Sequence, residues 1–188
     1  MVQDEVDWVL ETVRENWPGL GDSGLYGEGE YGGGLYYSTD GYPTDLYRIN
    51  RDEPEILETG ERTKSLERTN GNAIAAALAS RSTSPIGTGY NHEVETVVSV
   101  RIEGLTSRDG NWGHVDDTQH FNQLVAYAKR ALLLERTYPT IEADDDIGRV
   151  SYLDLRVENE QPLSSQHKDL YRTDFDVRLT GRECLPDT

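Results

Sequence analysis

The densest set of side chains able to hold a metal or move a proton is His114, Asp116, Asp117 and His120. Two imidazoles and two carboxylates are the right donors for zinc or for an acid–base pair. The histidines do not stand at i, i+4, however, and Asp116 or Asp117 is explained as the cap of the helix that follows, so the cluster reads as structural. Asp144, Asp145 and Asp146 form a second acidic group without the alternating ligands and terminal Glu of a calcium loop, which leaves a solvated loop or loose cation binding in high salt. Gly27, Gly29 and Gly32 satisfy G-x-G-x-x-G in form only. A dinucleotide site needs a strand before the glycines and a helix after them, and Glu28 and Glu30 would repel a pyrophosphate. There is no G-x-S-x-G elbow, and Cys184 has no histidine near it in sequence. The expectation is a protein with no catalytic residue, no metal ligand and no cofactor.

The elements that would position any site follow from periodicity. Residues 93–105, EVETVVSVRIEGL, carry the clearest strand pattern, with Val94, Thr96, Val98, Val100 and Ile102 on one face and Glu95, Val97, Ser99, Arg101 and Glu103 on a mixed, partly wet one. Residues 4–17 predict a helix with Val6, Val9, Leu10, Val13 and Trp17 inward and Glu5, Glu11, Arg14 and Glu15 outward, capped by Asp4 and ended by Pro18-Gly19. Residues 117–135 predict a second helix with the stripe Phe121, Leu124, Val125, Ala128 and Leu132, widened by Leu133 and Leu134. Residues 46–49 suit a short strand. Residues 73–80, AIAAALAS, suit a buried strand or a short helix, and their length and flanking turns favour the strand. Residues 81–92 and 141–148 read as loops. In residues 149–158, Val150, Tyr152, Asp154 and Arg156 alternate with Ser151, Leu153, Leu155 and Val157. In 170–182, Tyr171, Thr173, Phe175, Val177 and Leu179 share one face, opposite Arg172, Asp174, Asp176 and Arg178. The order α-β-β-β-α-β-β predicts an α+β fold, a mostly antiparallel sheet flanked by helices in a single domain over 1–188.

Two stretches stand apart. Residues 19–44 hold nine of the eighteen glycines and Tyr26, Tyr31, Tyr36, Tyr37 and Tyr42. Tyrosine gives contact area at low entropic cost and glycine lets the backbone conform, so this insertion reads either as an adhesive loop that orders against a partner or as a plain surface insertion. With Trp112, these tyrosines are the candidate interface residues. Residues 50–70 form a charged, solvated excursion with an edge strand expected at 55–59.

The formal net charge is −17, and only three of the eighteen basic residues are lysine. Acid excess with lysine nearly eliminated resembles proteins of salt-loving archaea, in which molar salt cuts the Debye length to about 3 Å and screens self-repulsion. Such a charge argues against specific nucleic-acid binding, which needs clustered Lys and Arg, but not against DNA passing without adhesion. No membrane-length apolar window and no signal-peptide pattern is present, and one cysteine makes no internal disulfide. The expectation is a soluble protein made inside a cell.

The N-terminal helix ending in Trp17-Pro18, the strand Val97-Val98-Ser99-Val100-Arg101-Ile102-Glu103-Gly104, the helix from Phe121-Asn122-Gln123-Leu124 to Ala131-Leu132, and the closing strand Tyr171-Arg172-Thr173-Asp174-Phe175-Asp176-Val177 together resemble a tail terminator (tail-completion, or minor tail) protein of a tailed virus. The likeness is in element order over about two thirds of the chain, and no signature motif carries it. It implies a structural virion protein of the tail and neck, assembled in the host cytoplasm. It implies a homo-hexameric ring that meets the tail-tube protein and a neck or head-completion protein, here in a virus of halophilic archaea. The residues at 19–44 and 50–70 depart from that pattern. A neck or head-closure protein of the same virion is the neighbouring alternative. A halophile enzyme or ligand-binding α+β domain built around His114–His120 is the alternative of another class.

Overall fold

The structure is a computed structural model that describes residues 4–16, 44–48, 72–87, 91–105, 117–142, 149–163 and 170–184. Helix α1 (Glu5–Glu15) is followed by β1 (Thr44–Arg48), β2 (Asn72–Pro85), β3 (Asn91–Leu105), helix α2 (Thr118–Leu134), β4 (Thr140–Glu142), β5 (Arg149–Pro162) and β6 (Leu170–Cys184). The six strands make one sheet in the order β1-β2-β3-β6-β5-β4. Only β1 and β2 pair in parallel; every other pairing is antiparallel. The mostly antiparallel sheet with two helices among the described residues was thus readable, but the order gains a strand. β4 falls where an acidic loop is expected, because three residues, Thr-Ile-Glu, are too few to show a period and are held only by pairing with the start of β5. The expected edge strand at 55–59 lies outside the described residues. β2 also runs five residues past its expected end, through a polar stretch that is paired along its length with β3.

Helix α1 begins where Asp4 accepts hydrogen bonds from the backbone N–H groups of Val6 and Asp7, each at 3.0 Å. Glu5 and Asp7 in its first turn and Arg14 in its last suit the helix dipole. It lies against β1, β2, β3 and α2, and α2 reaches across to β5 and β6. Between helices and sheet lies the core: Val6, Val9 and Val13 from α1, Phe121, Leu124, Val125, Ala128 and Leu132 from α2, and Ile74, Ala76, Val94, Val98, Val100, Ile102, Phe175, Val177 and Leu179 from the central strands. Phe121 stacks on Tyr171 at 5.4 Å, and Trp8 meets Tyr138 at 6.5 Å.

Three inward–outward expectations fail for identifiable reasons. Leu133 and Leu134 do not widen the α2 stripe; they stand 50% and 52% exposed, because about 100° per residue turns them off the face that buries Ala131 and Leu132. Glu5 is buried, not outward, because α1 starts over the sheet and its first turn is covered. The alternation in β5 breaks at Leu153, where a bulge shifts the register between Tyr152 and Asp154. The core side of β5 is therefore Val150, Tyr152, Leu155 and Val157, while Leu153 is 61% exposed. A bulge adds one unpaired residue and so exchanges the faces beyond it.

No helix among the described residues is long and apolar enough to cross a membrane.

Candidate functional site

The two faces of the central strands have different chemistry. Strand residues alternate between faces, so the helix-covered side takes Val94, Thr96, Val98, Val100 and Ile102 from β3, and the other side takes Glu95, Val97, Ser99, Arg101 and Glu103. On β6 the same rule puts Arg172, Asp174, Asp176 and Arg178 on that second side. The antiparallel register sets Glu103 opposite Arg172, Arg101 opposite Asp174 and Ser99 opposite Asp176. What results is a ladder of paired charges.

Its buried end is a double fork on one carboxylate. Arg101 donates from Nε to Asp174 Oδ1 and from Nη2 to Oδ2, both at 3.2 Å. Arg172, two residues away on the same strand, donates from Nε to Oδ1 at 3.0 Å and from Nη2 to Oδ2 at 2.6 Å. Forked guanidinium–carboxylate pairs are among the stronger charge-assisted bonds. Arg101 and Arg172 are only 4% and 5% exposed. Burial lowers the Arg101 pKa, and the bond to Asp174 works against that shift. Burial pushes the Asp174 carboxyl up, but the bonds from Arg172 and Arg101 outweigh it and hold it below the ordinary Asp value. The expectation of a partly wet face on β3 holds at Glu95, Val97 and Ser99, which are half-buried, and fails at Arg101 and Glu103, which are buried together with Ala73 and Ala75 beside them.

Further along, Asp176 accepts from Ser99 Oγ and from Asn159 Nδ2, each at 2.8 Å. Arg178 joins Glu95 of β3 at 2.5 Å and Glu158 of β5, and these bonds raise its pKa. Each charged residue of β6 in this row is held from a neighbouring strand or from its own. A carboxylate that accepts guanidinium bonds, as Asp174 does, is a weak base.

A second polar cluster sits on the helix side at the other end of the sheet. Tyr152 donates to Glu5 Oε1 at 2.5 Å and meets Thr96 Oγ1 at 2.7 Å. Arg81 stands 3.8 Å from Glu5 and 3.8 Å from Glu183. Burial and then the Glu5 carboxylate push the Tyr152 hydroxyl well above its ordinary range, so it stays protonated and acts as a donor. The cluster pins the start of α1 to β3 and β5. Nearby, His92 Nδ1 is buried without a hydrogen-bond partner.

Of the residues singled out from sequence, Tyr26, Tyr31, Tyr36, Tyr37, Tyr42 and Trp112 lie outside the described residues, as do His114, Asp116, Asp144, Asp145, Asp146, Gly27, Gly29 and Gly32. Asp117 directly precedes α2, and its carbonyl accepts from the Phe121 N–H at 3.2 Å. His120 lies in α2 and Cys184 ends β6. Among the described residues no group of His, Cys, Asp and Glu could hold a metal ion. The Arg101–Asp174–Arg172 fork was missed. Its signal was present: β3 and β6 both alternate charge, and sliding one antiparallel past the other matches Glu103 with Arg172 and Arg101 with Asp174 at one register. No protein-family model matches the chain and no curated protein matches it.

Proposed function

We propose that the chain is a structural subunit of a virion, a tail terminator that closes into a ring between the tail tube and the neck of a tailed virus of halophilic archaea. The observation that supports this reading is the division of the sheet into two unlike faces. One face is closed by α1 and α2. The other holds arginines and carboxylates that neutralise one another, buried at the Arg101–Asp174–Arg172 end and open to solvent where Arg178 stands between Glu95 and Glu158. A wall of that kind is polar yet presents no cluster of unopposed cations, and it is the clustered cation that captures a polyphosphate. DNA would slide past it. The Arg-rich, Lys-poor acidity adds support, since molar salt is the condition in which such a chain is screened. The element order that resembles tail terminators carries the specific assignment.

The reading makes the protein an assembly unit without turnover. Sedimentation and electron microscopy of the purified chain in molar KCl test it, with the expected result a closed ring of about six copies. A chain that stays monomeric at every concentration, or a filament that never closes, overturns it. Binding to a tail-tube protein at one rim and a neck protein at the other separates a terminator from its neighbours in the same assembly.

A further inference from the structure

The two edges of the sheet have matching gaps. On one side β1 covers β2 only from Asn72 to Ala76. On the other, β4 covers β5 only from Arg149 to Ser151. Among the described residues no strand lies on the outer edge of β2 past Ala76 or on the outer edge of β5 past Tyr152. Positions 79–87 of β2 and its turn are all exposed, whichever way their side chains point.

Bulges divide these open edges into short straight runs. The register shifts between Leu78 and Ser80 on β2, between Tyr152 and Asp154 on β5, and again between Glu158 and Gln161. What remains is 80–84 on β2, closed by Pro85, and 154–158 on β5, closed by a bulge at each end. The two runs lie at the same height in the sheet. Arg81 pairs with Thr96, Thr96 with Leu179, and Leu179 with Leu155, so Arg81 and Leu155 share one cross-strand line. Ser82, Glu95, Thr180 and Asp154 share the next, on the charged face. Three antiparallel steps separate β2 from β5, so the two strands run in opposite senses.

We propose that 80–82 of one copy pairs antiparallel with 154–156 of the next copy, Ser82 opposite Asp154, so that the sheet continues from subunit to subunit. This rests on the ring reading above and names the joint that makes it. The occupant is a second copy of this chain for three reasons. Copies related by rotation about an axis along the strands bring these runs together at one height and in the antiparallel sense. The charges permit it: in a chain of net charge −17, 77–85 holds no carboxylate to repel Asp154 and Glu158, which 154–158 carries together with Arg156. The large exposed apolar side chains Ile86 and Leu153, 42% and 61% exposed, lie at the same end of the joint. Because β2 joins β5 and not itself, the contact is head-to-tail, the kind that closes rings. The bulges that bound each run restrict it to one short pairing and discourage indiscriminate strand addition.

Disulfide trapping tests the register. In a Cys184→Ser background, protein carrying Ser82→Cys is mixed with protein carrying Asp154→Cys in molar KCl under mild oxidation. The mixture is expected to give cross-linked dimers, and neither protein alone is expected to give any. Self-cross-linking of the Ser82→Cys protein would mean that like edges meet, which overturns the joint. A normal wild-type ring with no cross-link in the mixture also overturns the joint while leaving the ring reading intact, whereas a wild-type chain that never assembles removes both. Hydrogen exchange supplies a measurement free of substitutions: amides in 80–82 and 154–156 exchange more slowly in the ring than in the dilute monomer. Full protection in the monomer would show that the chain covers its own edges, and overturns the proposal.

Discussion

Replacing Asp174 with Asn isolates what the forked carboxylate does. The substitution keeps the shape and one acceptor oxygen, but withdraws the charge that two guanidiniums share at 2.6 to 3.2 Å. The Arg101 and Arg172 side chains are 5% and 6% exposed, and that of Asp174 is 29% exposed. Removing one partner of a fully buried ion pair costs about 3–5 kcal/mol, since the remaining charge stays desolvated. Water reaches Asp174 in part and will solvate the freed guanidiniums to some degree, which brings the expected loss to about 2–3 kcal/mol. Urea unfolding in molar KCl is the assay. With a slope of about 2 kcal/mol per molar urea for a chain of this size, the midpoint falls by about 1–1.5 M and the slope is unchanged. Salt at this level screens beyond about 3 Å, so contacts between bonded atoms persist while longer-range charge effects drop out.

Asp176→Asn is the control, because the donors to Asp176, Ser99 and Asn159, are neutral, and its loss is about 1 kcal/mol or less. The pH dependence gives a second readout with a definite sign. The folded-state pKa of Asp174 is depressed, so its contribution is fully present above the unfolded value of about 3.9 and is lost as the pH falls through the lower folded value. Wild type therefore loses stability on that acid limb more steeply than Asp174→Asn does. If Asp174→Asn costs no more than Asp176→Asn, or if the two acid limbs are parallel, the fork does not hold the sheet as reasoned.

Three further substitutions probe the framework, each checked by thermal or urea unfolding of the monomer in molar KCl. Tyr152→Phe deletes the hydroxyl between Glu5 and Thr96 and leaves a buried carboxylate short of a donor, for an expected loss of about 2 kcal/mol; Glu5→Gln in the same chain recovers part of it. Gly181→Ala drives a methyl into the Ser151 carbonyl oxygen and to 2.8 Å from Tyr152 Cα, backbone atoms that move only if β5 parts from β6, so about 3 kcal/mol is expected. Asp4→Ala removes the acceptor for the Val6 and Asp7 N–H groups and costs about 1 kcal/mol, with fraying confined to the first turn of α1.

How much could be read in advance depended on how long each pattern ran. The alternation over 93–105 was long enough to place Val94, Thr96, Val98, Val100 and Ile102 correctly, and all five are buried. The stripe from Phe121 to Leu132 was equally legible. β4 was not, because three residues have no period and exist as a strand only through β5. Glu5 was placed outward because polarity is the only guide a helical wheel offers, and no local signal announces a Tyr152 hydroxyl arriving from 147 positions away. The charged fork was half-legible: its residue types alternate in both strands, but its meaning needs the pairing of β3 with β6. The candidate cluster at His114–His120 was suggested by residue types alone, and His114 and Asp116 lie outside the described residues.

The bulge at Leu153 links the core, the charged face and the open edge through one inserted residue. Without it, strict alternation from Val150 and Tyr152 would send Asp154, Arg156 and Glu158 toward α2 and turn Leu155 and Val157 outward. Burying those three charges would cost several kcal/mol each before any pairing is counted. The bulge returns Leu155 to lie beside Leu179 and Val157 beside Val177. The same shift puts Glu158 on the charged face, where Arg178 binds it. It also needs a close approach of the paired backbone, which is why β6 has Gly181 opposite Tyr152: any Cβ there would strike the Ser151 carbonyl. Gly181 is thus required by the bulge, and the bulge by the apolar residues beyond it. Its remaining effect is on the edge, where it leaves 154–158 as a straight run with a defined start. A device needed to keep charges out of the core therefore also fixes where a neighbouring strand can begin to pair.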